Sequence, residues 1–183
     1  MNEIDIEILR ELLSYDPDSG VLTWKVRDRK WFKTDRNYRW WNTRFAGKDI
    51  ACVDARGYIL VCIFYKLYKV HRVAYAIYHD IWPSEQIDHI NGIRTDNRII
   101  NLRNVSNQEN LKNQAINIKN TSGTIGVSWS KQSNKWIAQI KVNGKQKHLG
   151  YFTNIENAIS ARKQAEIDCG FHPNHGRDPQ QDK

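Results

Sequence analysis

The amino-acid sequence predicts an α+β protein made of two small modules, and three observations carry that expectation. Its 183 residues suit one or two domains, and a hydrophobic share of 40% with seven Trp and eight Tyr supports real cores rather than disorder. Between Ile87 and Gln114 the pattern reads strand, loop, strand, helix. Between Gly126 and Cys169 it reads as three strands followed by one helix. The expected boundaries are residues 1–114 for an N-terminal region with the first module, 115–122 for a linker, 123–170 for the second module and 171–183 for a loose tail.

Along the chain, Ile4, Ile8 and Leu12 recur at helical spacing with Leu9 and Leu13 beside them, and Asp16-Pro17-Asp18-Ser19-Gly20 stops that helix. Val21 to Val26 reads as a strand, and the basic aromatic stretch after it has no clear period. Gly57 to Phe64 is rich in β-branched and aromatic residues; Tyr65-Lys66-Leu67 can turn and Tyr68 to Val70 can return as the hairpin partner. His71 to His79 reads as a short helix. The segment from Gln114 to Gly123 is polar, Asn-rich and closes on Ser-Gly, as a linker does. Beyond it Gly126 to Ser130, Lys135 to Val142 and Gln146 to Phe152 read as strands. Asn143-Gly144 is a strong hairpin signal, because both residues tolerate positive φ. Thr153-Asn154-Ile155-Glu156 has capping-box spacing ahead of an apolar face of Ile155, Ala158, Ile159, Ala161 and Ala165, and Gly170 is a stop.

Composition narrows the function classes. No apolar run approaches the ~18 residues that a membrane span needs, and the N-terminus lacks a basic stretch followed by an apolar one, so the expectation is a cytoplasmic protein with no membrane partner. Cys52, Cys62 and Cys169 are odd in number and widely spaced, which indicates neither a disulfide framework nor a thiolate zinc site. A net charge of +8 is compatible with mere solubility as well as with nucleic-acid binding. Its distribution says more: from Thr23 to Lys48 nine Lys/Arg face two Asp, and from Thr124 to Thr153 five Lys occur with no acid. Such acid-poor segments suit neutralisation of DNA phosphates.

The chemistry concentrates in Ile87-Asp88-His89-Ile90-Asn91-Gly92, Asp96-Asn97-Arg98, Asn101-Leu102-Arg103 and Ser106-Asn107-Gln108-Glu109-Asn110. Adjacent residues on a strand point to opposite faces unless the strand ends there, and strand ends are where an Asp-His pair can serve one site. Asn91-Gly92 and Asp96-Asn97 are turn formers, so Asp88 and Asn101 fall on two arms of a loop-connected hairpin. Ser106 with Glu109 caps a helix that carries Asn110 and, one turn on, Gln114. Phosphodiester hydrolysis needs a divalent cation, a base for water and a group to orient the base. Asp88 and the Asn110 amide are hard oxygen donors, which suits magnesium or manganese better than zinc. His89 can be neutral near physiological pH, and Asn101 can hold its ring. Arg98 and Arg103 suit phosphate binding and solvated or structural roles equally. His71 reads as structural.

This segment resembles the HNH (ββα-metal) endonuclease family, in the version common in phage and intron homing endonucleases, where Asp-His begins the motif and Asn-Leu-Arg opens its second strand. The resemblance runs from His71 to Gln114. It implies cleavage of double-stranded DNA, with His89 as general base, Asp88 as metal ligand, Asn101 as the middle Asn of the family's name and Asn110, in place of the last family His, as second metal ligand. A small-molecule substrate is not implied. The rival from another class is a non-catalytic DNA-binding regulator that keeps the scaffold, against which the intact set Asp88, His89, Asn101 and Asn110 argues.

In the second module, period-two alternation puts Trp136, Ala138, Ile140 and Val142 on a helix-facing side. Gln139, with Lys131, Lys141 and Lys147, decorates an open face that is either solvated or DNA-reading. Gly126-Val127, Lys135 to Ile140, Lys147 to Phe152, Glu156 and Ala158 resemble the plant ethylene-response-factor type of DNA-binding domain. That resemblance implies Ser128, Ser130, Lys131, Gln139, Lys141, Gln146 and His148 as the DNA-facing set. Where the plant domains carry Arg and Trp, this chain has Ser, Gln and His, so its target sequence is its own.

Overall fold

A computed structural model describes residues 3–178, and the chain is an α+β protein that parts into two compact units, 1–104 and 105–183.

In the first unit α1 (Ile6–Leu12) starts on Asp5, whose carboxylate accepts from the Glu7 N–H, and buries Leu9 and Leu12. It ends one residue earlier than its apolar spacing suggests, because Leu13 turns extended and opens β1 (Leu13–Tyr15). β1 pairs antiparallel with β2 (Leu22–Trp24), Leu13 opposite Trp24 and Tyr15 opposite Leu22. The basic aromatic stretch, unreadable by periodicity, forms a 3-10 turn at Arg29–Trp31 and then α2 (Asp35–Phe45), capped by Thr34, whose hydroxyl accepts from the Asn37 N–H. Its order comes from ring packing: the Arg27 guanidinium carbon lies 4.5 Å from the Trp24 ring centre and 3.8 Å from that of Trp41. β3 (Cys52–Val53), β4 (Ile59–Ile63) and β5 (Lys66–Lys69) make a small antiparallel sheet. The β4–β5 turn is Phe64-Tyr65, both at positive φ (48° and 65°), one residue ahead of the expected turn because Ile63 pairs with Lys66. α3 (Val70–His79) lays Val70, Val73 and Ala76 on α1 and β4, joining Leu9, Leu12, Leu13, Leu22, Val61 and Ile63 in one core. β6 (Gln86–His89) pairs with β7 (Leu102–Val105), whose last residue belongs to the second unit.

The second unit opens on α4 (Asn107–Leu111), where Ser106 forms the expected capping box: its hydroxyl accepts from the Glu109 N–H at 3.3 Å and the Glu109 carboxylate accepts from the Ser106 N–H at 3.2 Å. β8 (Val127–Ser130), β9 (Lys135–Val142) and β10 (Lys145–Phe152) form an antiparallel sheet in the order β10-β9-β8. Val142 pairs with Lys145 across Asn143-Gly144, at φ 51° and 76°, the positive-φ pair that a type I′ turn requires. α5 (Ile155–Asp168) packs Ala158 on Val127 and Ala138. Its cap is Asn154 rather than Thr153, with the Asn154 side chain accepting from the Glu156 N–H at 2.8 Å. Residues 115–122 and 171–183, expected as linker and loose tail, are tied together over their described part. Ile116 N–H donates to Arg177 O at 2.9 Å and Gly176 N–H to Gln114 O at 2.9 Å. His175 is buried beside Arg162 and Glu166, which form an ion pair at 2.9 Å. No helix among the described residues is long and apolar enough to cross a membrane.

Candidate active site

Asp88 and His89 close β6, and the strand pleat sends them to different neighbours. The Asp88 carboxylate is buried and Oδ2 accepts from Arg103 Nε at 2.9 Å and Nη2 at 2.7 Å. Arg103 sits on the paired strand, so one guanidinium edge orients the acid. His89 is also buried. Its ring lies 4.9 Å edge-on to His71, which α3 supplies, and 6.0 Å from Tyr58, which in turn lies 5.1 Å from His71. Burial pushes the His89 imidazole below its usual range, against the raising effects of Asn97 and the Asp88 charge. Burial and the neighbouring His89 hold His71 neutral.

The loop between the strands is built on Asn101. Its Oδ1 accepts from the Asn91 N–H at 2.9 Å, its Nδ2 donates to Asp96 O at 2.8 Å, and its carbonyl accepts from the Ile90 N–H at 2.9 Å. One buried amide therefore clamps both ends of the loop. Asn91 Nδ2 adds a bond to Asp96 Oδ2 at 2.7 Å. The sequence pointed to Asn101 as the group that orients the His89 ring. In the fold that contact belongs to Asn97, whose Oδ1 lies 3.1 Å from His89 Nε2. Asn97 was legible only as half of a turn-forming Asp-Asn pair, since nothing local marks an Asn as buried.

Other expected residues also find partners. Arg98 binds Asp96 at 2.6 Å and Arg103 binds Asp88, so both arginines are engaged by acids of the site. Asn110 is half-buried on α4 in the second unit, but α4 ends at Leu111, so Gln114 is not on its next turn. In the sheet, Gln146 pairs with Lys141, His148 with Gln139, Ser128 with Ile137 and Ser130 with Lys135, which puts these side chains on one face. Lys147 pairs with Ile140 and so belongs to the opposite face, that of α5. The expected grouping of Lys147 with Gln139 and Lys141 fails because the period-two pleat separates it from Gln146 and His148.

Among the described residues no group of three or more His, Cys, Asp or Glu is gathered for a metal. The candidate ligands Asp88 and Asn110 offer oxygen only, as suits a cation that keeps several waters.

The two neutral histidines give stability a pH dependence of definite sign. His71 in the first unit is pushed down to about 2 and His175 in the second to about 4, both chiefly by burial. Unfolded, each titrates near 6.5, so below that pH the unfolded chain binds protons that the folded chain refuses. Stability is intact above about 6.5 and falls with pH, by about 2 kcal/mol for each histidine between pH 7 and pH 5. Urea titrations at the two values, followed by a probe in each unit, measure this. Equal midpoints would show that the imidazoles are not held neutral.

Residues 68–112 match the HNH endonuclease family. The chain is also similar to "Protein 3.8" of Escherichia phage T7, at 37% identity over 84 residues, which is 45% of this chain and 69% of that protein. No solved structure matches. The family match takes in β6, the turn at Ile99–Asn101, β7 and α4, and so Asp88, His89 and Asn101; with 69% of a relative covered at 37% identity, the chain belongs to the HNH endonuclease family.

Proposed function

We propose that the protein is a metal-dependent endonuclease that hydrolyses phosphodiester bonds in double-stranded DNA, of the phage or homing type, acting in the bacterial cytoplasm. The observation that carries this reading is His89: a buried, neutral imidazole at the end of a strand, ring-packed on His71 and in reach of the Asn97 amide, beside a carboxylate oriented by Arg103. A base must be neutral to take a proton from water, and burial keeps it so. Asp88 and Asn110 would hold magnesium or manganese, which supplies charge neutralisation at the scissile phosphate. Asn101 keeps the loop that carries Asn91 and Asp96 in shape.

The C-terminal sheet is the DNA-reading module, in the manner of the ethylene-response-factor domains it resembles. Supporting this, the face away from α5 carries Ser128, Ser130, Gln139, Lys141, Gln146 and His148, with Lys131 in the adjoining turn, and no acid.

Supercoiled plasmid incubated with magnesium or manganese tests both parts. Nicked or linear product is expected, with none after chelation of the metal. Lys141→Ala should weaken binding to all sequences and reduce the salt slope by about one. Plasmid left untouched with either metal sinks the nuclease assignment, and an unchanged salt slope leaves the sheet face merely solvated.

A further inference from the structure

The family match begins at residue 68, yet the loop that holds His89 is braced by residues far upstream of it. We propose that Asn97 is a positioning residue for His89 and that the β1–β2 hairpin, by holding Asn97 from behind, is part of the nuclease site. This rests on the endonuclease reading above and deepens it.

Three observations carry the inference. Asn97 is only 1% exposed, and its Oδ1 stands 3.1 Å from His89 Nε2, so it meets the ring as an acceptor when Nε2 carries the proton. That leaves Nδ1 with the lone pair. Second, Asn97 Nδ2 is buried with no partner among the described residues. A buried amide N–H left without a partner costs stability, which an apolar residue at this position would avoid. Among the described residues, the one polar contact the Asn97 side chain shows in exchange is the one to His89.

Third, the backbone of Asn97 is fixed from outside the matched segment. Tyr15 Oη donates to Asn97 O at 2.7 Å, and Ile99 N–H donates to Pro17 O at 3.0 Å. Gly20, at φ 76°, lies so close that a Cβ there would stand 2.4 Å from Arg98 N and 2.5 Å from Asn97 C. From the other side Asn101 Nδ2 grips Asp96 O. The peptide that presents the Asn97 side chain thus sits between the N-terminal hairpin and the Asn101 clamp. A residue held by both its backbone neighbours has little freedom to let the His89 ring turn.

The test uses the full chain, labelled with 15N-histidine, above the usual imidazole titration range. Long-range proton–nitrogen correlation should show His89, identified by its loss in His89→Ala, as the Nε2–H tautomer. Asn97→Leu should mix the tautomers and lower kcat about 10- to 100-fold, with KM for DNA little changed, as loss of an orienting partner does. Asn97→Asp keeps the acceptor and should restore the tautomer and most of kcat. Tyr15→Phe, which keeps the ring, should lower kcat by a smaller factor at unchanged KM, and Gly20→Ala should behave like Asn97→Leu. An Nδ1–H tautomer in the unmodified chain, or Asn97→Leu with tautomer and kcat unchanged, overturns the proposal. If the unmodified chain cuts no DNA, the endonuclease reading fails by itself, and the correlation spectra of the two Asn97 variants still decide the role of Asn97.

Discussion

His89→Ala should bind DNA and metal normally and yet cleave about 10²–10⁴-fold more slowly, the range lost when a positioned general base is removed. The fold supports that separation. His89 contacts His71, Tyr58 and Asn97, whereas the Asp88 carboxylate is held by Arg103, so deleting the imidazole leaves the acid's support standing. The cavity left beside His71 is lined partly by polar rings and can admit water, so the structural loss should be modest. Plasmid cleavage with gel-shift binding at matched metal concentration makes the measurement. Wild-type cleavage by His89→Ala would remove this histidine from the chemistry and with it the present reading of the site.

How far the sequence could be read depended on the range of the interaction involved. Local rules held where a few neighbours decide the outcome. The Ser106–Glu109 capping box, the Asn143-Gly144 turn and the alternation along β9 are all local. Errors came from contacts distant in sequence. The stretch from Thr23 to Lys48 has no period because its order rests on Arg27 between Trp24 and Trp41. Lys147 is the exception: alternation along β10 already separates it from Gln146 and His148, and its pairing with Ile140 puts it on the α5 side. At the site, the placement of Asp88 and His89 at the end of β6 and of Asn101 just before β7 was legible from residue types and spacing, whereas their roles came only with the family resemblance. Asn97 was not, since its significance lies in burial by a hairpin more than 70 residues upstream, through Tyr15, Pro17 and Gly20. The same holds for Arg103, a phosphate candidate by composition and the partner of Asp88 by geometry.

Asp88→Ala should also abolish cleavage at ordinary metal concentration, but through the cation. Asp88 is the charged member of the proposed ligand pair, and the neutral Asn110 amide alone should not hold a strongly hydrated ion. The half-saturating magnesium or manganese concentration is expected to rise by about 10- to 100-fold or more, by analogy with the cost of weakening a metal site's support. His89→Ala, in contrast, should saturate at the ordinary concentration with a low plateau. A competing explanation is built into the geometry: Asp88 also accepts two hydrogen bonds from Arg103, and its loss leaves that guanidinium without this partner. The Arg103 side chain is 35% exposed, so it can turn to water, and the stability cost should stay near ~1–2 kcal/mol. Arg103→Met separates the two accounts. If Asp88 acts as a ligand, Arg103→Met keeps the carboxylate and leaves the metal requirement near that of the unmodified chain. If Asp88 serves only to anchor Arg103, both variants should lose activity alike and no added metal should restore Asp88→Ala. That second pattern would take Asp88 out of the metal site and leave the protein's cation to be held in some other way.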